Sequence, residues 1–291
     1  MIKGSITALV TPFKNDSVDE KAFQSFIEWQ IESGTHGLVP CGTTGESATL
    51  TDAEHRRVIA LTVEAAAGRV PVIAGAGSNE TAVSKAYARH AKEEGADAIL
   101  VVTPYYNKPN QEGIYQHFKA ISESVDIPIV VYNIPGRSVV DITNETMARL
   151  SKLPNVIGCK DATGDIGRVQ TLTDLCEDGF IQLSGDDPTS LGHSAHGGKG
   201  TISVGSNIAP KAYSEFHKAL LNGDFAQAKS MNAKLDRLHK DLFLCPSPAP
   251  AKYALSLMGK MEPGVRLPIV PCTDTTKRAV EAAMQRAGVT Y

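Results

Sequence analysis

The sequence predicts an α/β fold, a (β/α)8 TIM barrel with a C-terminal helical extension, and three observations predict it. Eight short apolar runs alternate with longer amphipathic stretches along most of the chain. The runs are apolar at nearly every position, as in Ile99-Leu100-Val101-Val102 and Ile129-Val130-Val131, which marks strands buried on both faces and therefore a parallel sheet. The turn after the first run, Thr11-Pro12-Phe13-Lys14, has no Gly-rich fingerprint of the kind an open doubly wound sheet usually carries there.

The elements follow in order. The first strand is placed at 6–10. The helix after it aligns Phe23, Phe26, Ile27, Gln30 and Ile31 on one face, with Ser17-x-x-Glu20 read as its capping box and Gly34 as its end. The second strand is placed at 37–40, before a helix capped by Thr51-x-x-Glu54 and ending near Gly68. Further strands are expected at 71–74, 98–103, 128–132, 156–159, 181–184 and 201–204, with intervening helices clearest over 82–94, 114–124 and 169–176, and an eighth over 209–221. Eight βα units in this length suit a barrel of roughly 250 residues. After about residue 224 strand signals stop, and helical periodicity continues over 225–244, 249–258 and 274–287. The expected organisation is a barrel carrying the active site over 1–223 and a helical region packed on it over 224–291. Ser247-Pro248-Ala249-Pro250 reads as a turn or short rigid connection.

Composition excludes several function classes. With 42% hydrophobic and 21% charged residues among 291, and a net charge of -3, the chain offers no basic surface for nucleic acid or an anionic membrane. No apolar run approaches the roughly 18 residues of a membrane span, and the first residues lack a secretory pattern. Cys41, Cys159, Cys176, Cys245 and Cys272 are scattered, with no CxxC spacing, and read as free thiols of a cytoplasmic protein. The histidines are also scattered, the nearest pair being His193-x-x-His196, so neither a metal nor an organic cofactor is expected. Gly197-Gly198-Lys199-Gly200 precedes a strand and not a helix, which argues against a helix-terminus phosphate site.

In such barrels the chemistry sits at the C-terminal strand ends. Here those ends read Cys41-Gly42-Thr43-Thr44-Gly45-Glu46-Ser47, Thr103-Pro104-Tyr105-Tyr106-Asn107, Tyr132-Asn133-Ile134-Pro135-Gly136-Arg137 and Lys160-Asp161-Ala162-Thr163-Gly164-Asp165. Lys160 follows a wall-like run, facing either the barrel mouth or the helix layer. Desolvation at either place disfavours an ammonium, and a neutral amine attacks carbonyls to form imines. The competing reading is a structural lysine paired with Asp161 or another carboxylate. Tyr132 is either a proton-shuttling phenol or a rim aromatic. Thr43 and Thr44 either hold a carboxylate through hydroxyl and N–H groups or form a strand-to-helix turn. Arg137, beyond a Pro-Gly turn, is either a bidentate carboxylate grip or an ordinary exposed arginine. Tyr105 and Tyr106 serve packing, ligand or subunit contacts.

Together these strand ends resemble the 4-hydroxy-tetrahydrodipicolinate synthases, formerly dihydrodipicolinate synthases, of the pyruvate-dependent class I lyase and aldolase superfamily. The similarity runs from about residue 3 to the C-terminus with matching order and spacing. The resemblance implies an imine between Lys160 and pyruvate, and a proton relay of Tyr132, Thr43 and Tyr106, the last reaching in from a partner subunit of a homotetramer. It implies that Thr43 and Thr44 hold the pyruvate carboxylate, that Arg137 binds the carboxylate of L-aspartate 4-semialdehyde, and that backbone groups of Gly185 and Ile202 line the site. The product feeds diaminopimelate and lysine synthesis. Arg137 favours this activity over sialic-acid lyases, which lack that arginine and tend to carry Gly-Ser-Thr-Gly-Glu where this chain has Gly42-Thr43-Thr44-Gly45-Glu46. Two departures are small: Asp161 replaces a frequent glutamate and Ser138 a frequent threonine. Ser47, Ala48, His55, Asn79 and Tyr105 match positions of a lysine-inhibition site, but Val83 replaces the glutamate that commonly meets the inhibitor's ammonium, so weak or absent lysine inhibition is expected. The alternatives are a related aldolase or lyase for 2-keto-3-deoxy sugar acids or N-acetylneuraminate, with little use for Arg137, and a non-enzymatic binding protein, with little use for the whole set.

Overall fold

The computed structural model describes residues 2–291. The chain opens with β1 (Gly4–Ala8), the hairpin β2 (Phe13–Lys14) and β3 (Ser17–Val18), and α1 (Glu20–Glu32). Then come β4 (Gly37–Val39), α2 (Asp52–Ala66), β5 (Ile73–Gly75), α3 (Thr81–Glu93), β6 (Ala98–Val102), α4 (Gln111–Ser122) and β7 (Ile129–Asn133). The short α5 (Pro135–Ser138) and α6 (Asn144–Leu150) precede β8 (Val156–Asp161), α7 (Arg168–Leu175), β9 (Ile181–Ser184), α8 (Ser190–Ala195), β10 (Gly200–Ser203) and α9 (Pro210–Leu221). Three more helices close the chain: α10 (Phe225–Asp241), α11 (Ala249–Leu257) and α12 (Asp274–Arg286).

Eight parallel strands run in the order β4-β1-β10-β9-β8-β7-β6-β5. A parallel bridge between Leu38 and Val72 and the Gly75 N–H to Pro40 carbonyl bond of 2.9 Å join the two ends, so the sheet closes into a TIM barrel. Because strand side chains alternate, each strand feeds two apolar layers. Ile6, Val39, Ile73, Leu100, Val130, Tyr132, Leu183 and Ile202 fill the barrel interior. Leu38, Ala74, Ile99, Val101, Val131 and Cys159 face outward and pack with helix residues such as Phe23, Phe118 and Leu172. Leu235, Leu238, Ala254, Leu255, Val280 and Met284 of the last three helices belong to that same outer layer, so no apolar gap divides them from the barrel.

Local chemistry sets the helix starts. Thr51 forms a capping box with Glu54, its hydroxyl accepting from the Glu54 N–H at 3.2 Å while the Glu54 carboxylate accepts from the Thr51 N–H at 2.9 Å. The expected box at Ser17 and Glu20 is not formed. Asn15 and Asp16 take left-handed backbone angles and turn a hairpin that draws Ser17 into β3 opposite Lys14, and Asp19 caps α1 instead, accepting from the Ala22 N–H at 3.0 Å. Gly34, with φ of 91°, follows the end of α1. The fifth and sixth barrel strands, β7 and β8, run one and two residues further than the sequence suggested, through Asn133 and Asp161. The stretch Ser247-Pro248-Ala249-Pro250 is a connection only in its first half. Ala249 and Pro250 already belong to α11, in whose first turn a proline forfeits no intrahelical hydrogen bond. The fold also brings Cys245 and Cys272 to 3.3 Å between sulfurs, both as free thiols. Among the described residues no helix is long and apolar enough to cross a membrane.

Candidate active site

Strands β7 and β8 are neighbours whose register sets Tyr132 beside Lys160 and Asn133 beside Asp161. Alternation turns the first pair into the barrel and the second toward the helices. Lys160 is buried, and its Nζ lies 4.0 Å from the centre of the Tyr132 ring, a cation–π distance. No ion pair involving Lys160 is formed among the described residues.

Asp161 is engaged on the other face. It accepts from the Thr163 N–H at 2.8 Å and the Thr163 hydroxyl at 2.5 Å. Its second oxygen lies 3.1 Å from Arg168 Nε, although that N–H is not aimed at it, so the contact is coulombic more than a directed hydrogen bond. Arg168 also donates to Asp141 at 3.2 Å and to the Ile142 carbonyl at 2.7 Å, while Asn133 donates to Asp141 at 2.7 Å and accepts from the Ile142 N–H at 3.1 Å. This network behind the wall locks the two strands that carry Tyr132 and Lys160.

Gly185 directly follows the next strand, β9. Its N–H donates to the Asp161 carbonyl at 2.7 Å, and a Cβ at this position would lie 2.8 Å from Lys160 Cε. The lysine side chain thus runs directly over the Gly185 backbone. Ile202, in β10, is paired with Ile6 and fully buried in the barrel interior.

The loop after β4 carries Thr43, half-buried, and Thr44, buried. Cys41 and Glu46 bracket it with φ of 53° and 55°, both in the left-handed region that side chains rarely adopt. The loop is closed by the Glu46 N–H to Thr43 carbonyl bond of 3.1 Å and pinned by the Thr11 hydroxyl on the Gly45 carbonyl at 2.8 Å. The Glu46 carboxylate turns toward the C-terminal region. One oxygen accepts from Lys252 Nζ at 2.8 Å and the other from the Arg266 N–H at 3.0 Å. The Arg266 side chain reaches Glu54 with two bonds of 2.6 and 2.7 Å and the Thr49 carbonyl at 3.0 Å. That bidentate grip holds the Glu54 carboxyl at about 2, well below the usual carboxylate range. Sequence reading missed Lys252 and Arg266 and gave Glu46 no role. Their only signal is a lysine and an arginine among apolar and Pro-rich residues far downstream.

Arg137 is exposed, and it sits in a helical turn, α5, and not beyond a simple Pro-Gly turn. Pro135 opens the turn and the buried Ser138 hydroxyl ties it down, its one proton shared between the Ile134 and Val140 carbonyls at 2.9 and 2.8 Å. A single cavity of about 510 Å³ joins Thr43 and Arg137 to Ser47, Ala48, His55, Val83 and Tyr105. Lys160 and Tyr132 do not line it. His55 stacks on Tyr87 with ring centres 3.9 Å apart, and burial pulls its imidazole down to about 4. Asn79 lies outside the lining, its carbonyl accepting from Asn107 Nδ2 at 2.9 Å. Tyr106 is not gathered with the other residues within this chain: it is 89% exposed, with φ of 71°. Among the described residues no three His, Cys, Asp or Glu side chains converge in a way that holds a metal ion.

Comparison with known proteins gives a consistent picture. The model of the dihydrodipicolinate synthetase family matches residues 1–287. A relative from Bradyrhizobium diazoefficiens, named 4-hydroxy-tetrahydrodipicolinate synthase, is 56% identical over 287 residues, covering 99% of this chain and 97% of its own. The solved structure of the chloride-inhibited dihydrodipicolinate synthase from Acinetobacter baumannii complexed with pyruvate superposes with a TM-score of 0.97 at 45% identity over the whole of both chains. A structure described as the first monomeric dihydrodipicolinate synthase variant reaches a TM-score of 0.97 at 41% identity, covering 99% of this chain and 98% of that one.

Proposed function

This chain belongs to the dihydrodipicolinate synthetase family, and from that premise we propose that it condenses pyruvate with L-aspartate 4-semialdehyde through an imine on Lys160, the first committed step toward diaminopimelate and lysine. The observation that carries the assignment of Lys160 is its burial beside Tyr132 with no carboxylate partner among the described residues. An amine so placed is available to a carbonyl compound entering the barrel mouth.

The chemistry follows from these parts. The lysine nitrogen adds to the pyruvate carbonyl carbon, and loss of water leaves a protonated imine. That cation withdraws electrons from the adjoining methyl group, which loses a proton to give an enamine. The enamine carbon attacks the aldehyde, forming the new C–C bond as the aldehyde oxygen takes up a proton. The amine of the second substrate then reaches the imine carbon through a six-membered ring and displaces Lys160. Tyr132, with Thr43 and the Tyr106 of a neighbouring subunit, moves the protons. Thr43 and Thr44 hold the pyruvate carboxylate, Gly185 and Ile202 contribute backbone to the floor, and Arg137 takes the carboxylate of the aldehyde substrate. We read 1–223 as the catalytic barrel and 224–291 as its helical support, in a cytoplasmic homotetramer. That assembly is favoured by a Tyr106 too exposed to serve its own chain's site. Ser47, Ala48, His55 and Tyr105 frame an effector pocket in which Val83 offers no charge to an ammonium, with Asn79 outside its lining.

Trapping tests the reading. Incubation with pyruvate and borohydride, followed by peptide mapping, is expected to give one pyruvyl adduct on Lys160. Arg137→Ala is expected to keep that adduct while losing about 100-fold or more in kcat/KM for the aldehyde, in line with removal of a bidentate substrate clamp. Absence of any adduct in folded protein would overturn the proposal. Faster turnover with sugar aldehydes would favour the keto-deoxy sugar acid reading.

A further inference from the structure

We propose that Lys252, acting through Glu46, is a positioning residue for the Thr43-Thr44 loop, so that the C-terminal helical region sets how well the site takes a 2-oxo acid. The inference rests on the reading that this loop holds the pyruvate carboxylate.

The loop does not hold itself. Its two side-chain-bearing residues in left-handed conformation, Cys41 and Glu46, persist only where surrounding structure over-determines them. Part of that surrounding structure is local, the Thr11 hydroxyl on the Gly45 carbonyl. The rest comes from 206 and 220 residues away. The Glu46 carboxylate receives its two hydrogen bonds from Lys252 Nζ and the Arg266 N–H. Lys252 has no solvent exposure and, among the described residues, donates to no other acceptor. It lies 4.1 Å from the centre of the Phe13 ring, and Arg266 Cζ lies 4.2 Å from the same centre.

Stability alone explains such a pair poorly, because apolar side chains of the same volume often serve a buried position as well or better. What the pair supplies is direction. A carboxylate gripped at both oxygens fixes the Glu46 side chain, and the Glu46 N–H is bonded to the carbonyl of Thr43. A shift of Glu46 therefore passes straight to the hydroxyl and N–H groups facing the substrate. Burial pulls the Lys252 ammonium below its ordinary value while Glu46 pulls it back up, and removing the carboxylate would leave the cation without compensation.

The test uses K252M and the volume-conserving double variant E46Q/K252M in the full-length protein. The amount of borohydride-trapped adduct on Lys160 is measured against pyruvate concentration, alongside kcat and KM with both substrates. Positioning predicts that both variants still reach a trapped adduct at saturation, but that the half-saturating pyruvate concentration rises by about tenfold or more, with kcat also reduced. A purely structural role would lower the trapped amplitude with the folded fraction and leave half-saturation where it was. If K252M alone does not fold, the double variant, which leaves no unpaired charge, carries the comparison. Half-saturation within twofold of wild type in the folded double variant overturns the inference. No adduct in the wild type overturns the reading of the site itself, and this inference with it.

Discussion

Replacing Gly185 by alanine adds one methyl group at a crowded point of the proposed site. Its backbone angles are ones any L residue adopts, so alanine costs nothing in conformation and the effect comes from space alone. The added carbon would lie 2.8 Å from Lys160 Cε, 3.1 Å from Lys160 Cγ and 2.8 Å from Ala162 Cβ. Comfortable carbon–carbon contact begins near 3.5 Å, so about 0.7 Å must be found on each side. Ala162 Cβ is fixed by its backbone, and the lysine chain gives way. Overpacking of this size costs about 1–3 kcal/mol in stability, or about 2–4 °C in Tm per kcal/mol. The larger effect is on chemistry, since a misplacement on the order of 1 Å costs up to about 100-fold. In Gly185→Ala the rate of borohydride-trapped imine formation is expected to fall by about 10- to 100-fold while the melting point drops by a few degrees. Trapping at the wild-type rate with an unchanged melting point would refute the placement of Lys160 over Gly185.

Two further outcomes follow from buried groups. Burial holds His55, His117 and His193 at about 4 and His217 at about 3, below the ordinary 6.5. The unfolded chain then binds more protons than the folded one between those values. Stability is therefore full above about pH 6.5 and lost as pH falls through it toward 4, by about 2 kcal/mol per histidine at pH 5. Urea unfolding at pH 7.5 and pH 5 is expected to differ by several kcal/mol, and equal free energies would contradict the burial. For the effector pocket, lysine is expected to inhibit only above millimolar concentration, and Val83→Glu, on the wall of the same cavity as His55 and Tyr105, to lower the half-inhibiting concentration. Submillimolar inhibition of the wild type would sink that account.

The barrel was legible because its strands are buried on both faces, and uninterrupted runs such as 98–102 have few other uses. The hairpin β2 and β3 escaped because two-residue strands have no period to detect, and that omission produced the misplaced cap at Ser17. Helices α5, α6 and α8, of four, seven and six residues, are likewise too short for an amphipathic pattern to stand out. The candidates Lys160, Tyr132, Thr43 and Arg137 stood out in the sequence because they sit at or near strand ends beside glycine, proline and polar residues. Arg168 did not, because its partners are the last residue of β8, Asp161, and a loop residue, Asp141, which only the folded chain brings together. Lys252 was invisible for a stronger reason. Inside an apolar helix it offers no local clue to a carboxylate at position 46.

The grip on Glu46 also orders events during synthesis. At roughly 5–20 residues per second a ribosome needs on the order of 10–40 s to travel from Glu46 to Lys252, which lies 206 positions later. Throughout that interval every strand of the barrel can be made, yet the Thr43-Thr44 loop lacks the cation that fixes it. The Glu46 carboxylate thus gains its ammonium partner only when nearly the last helices have left the tunnel.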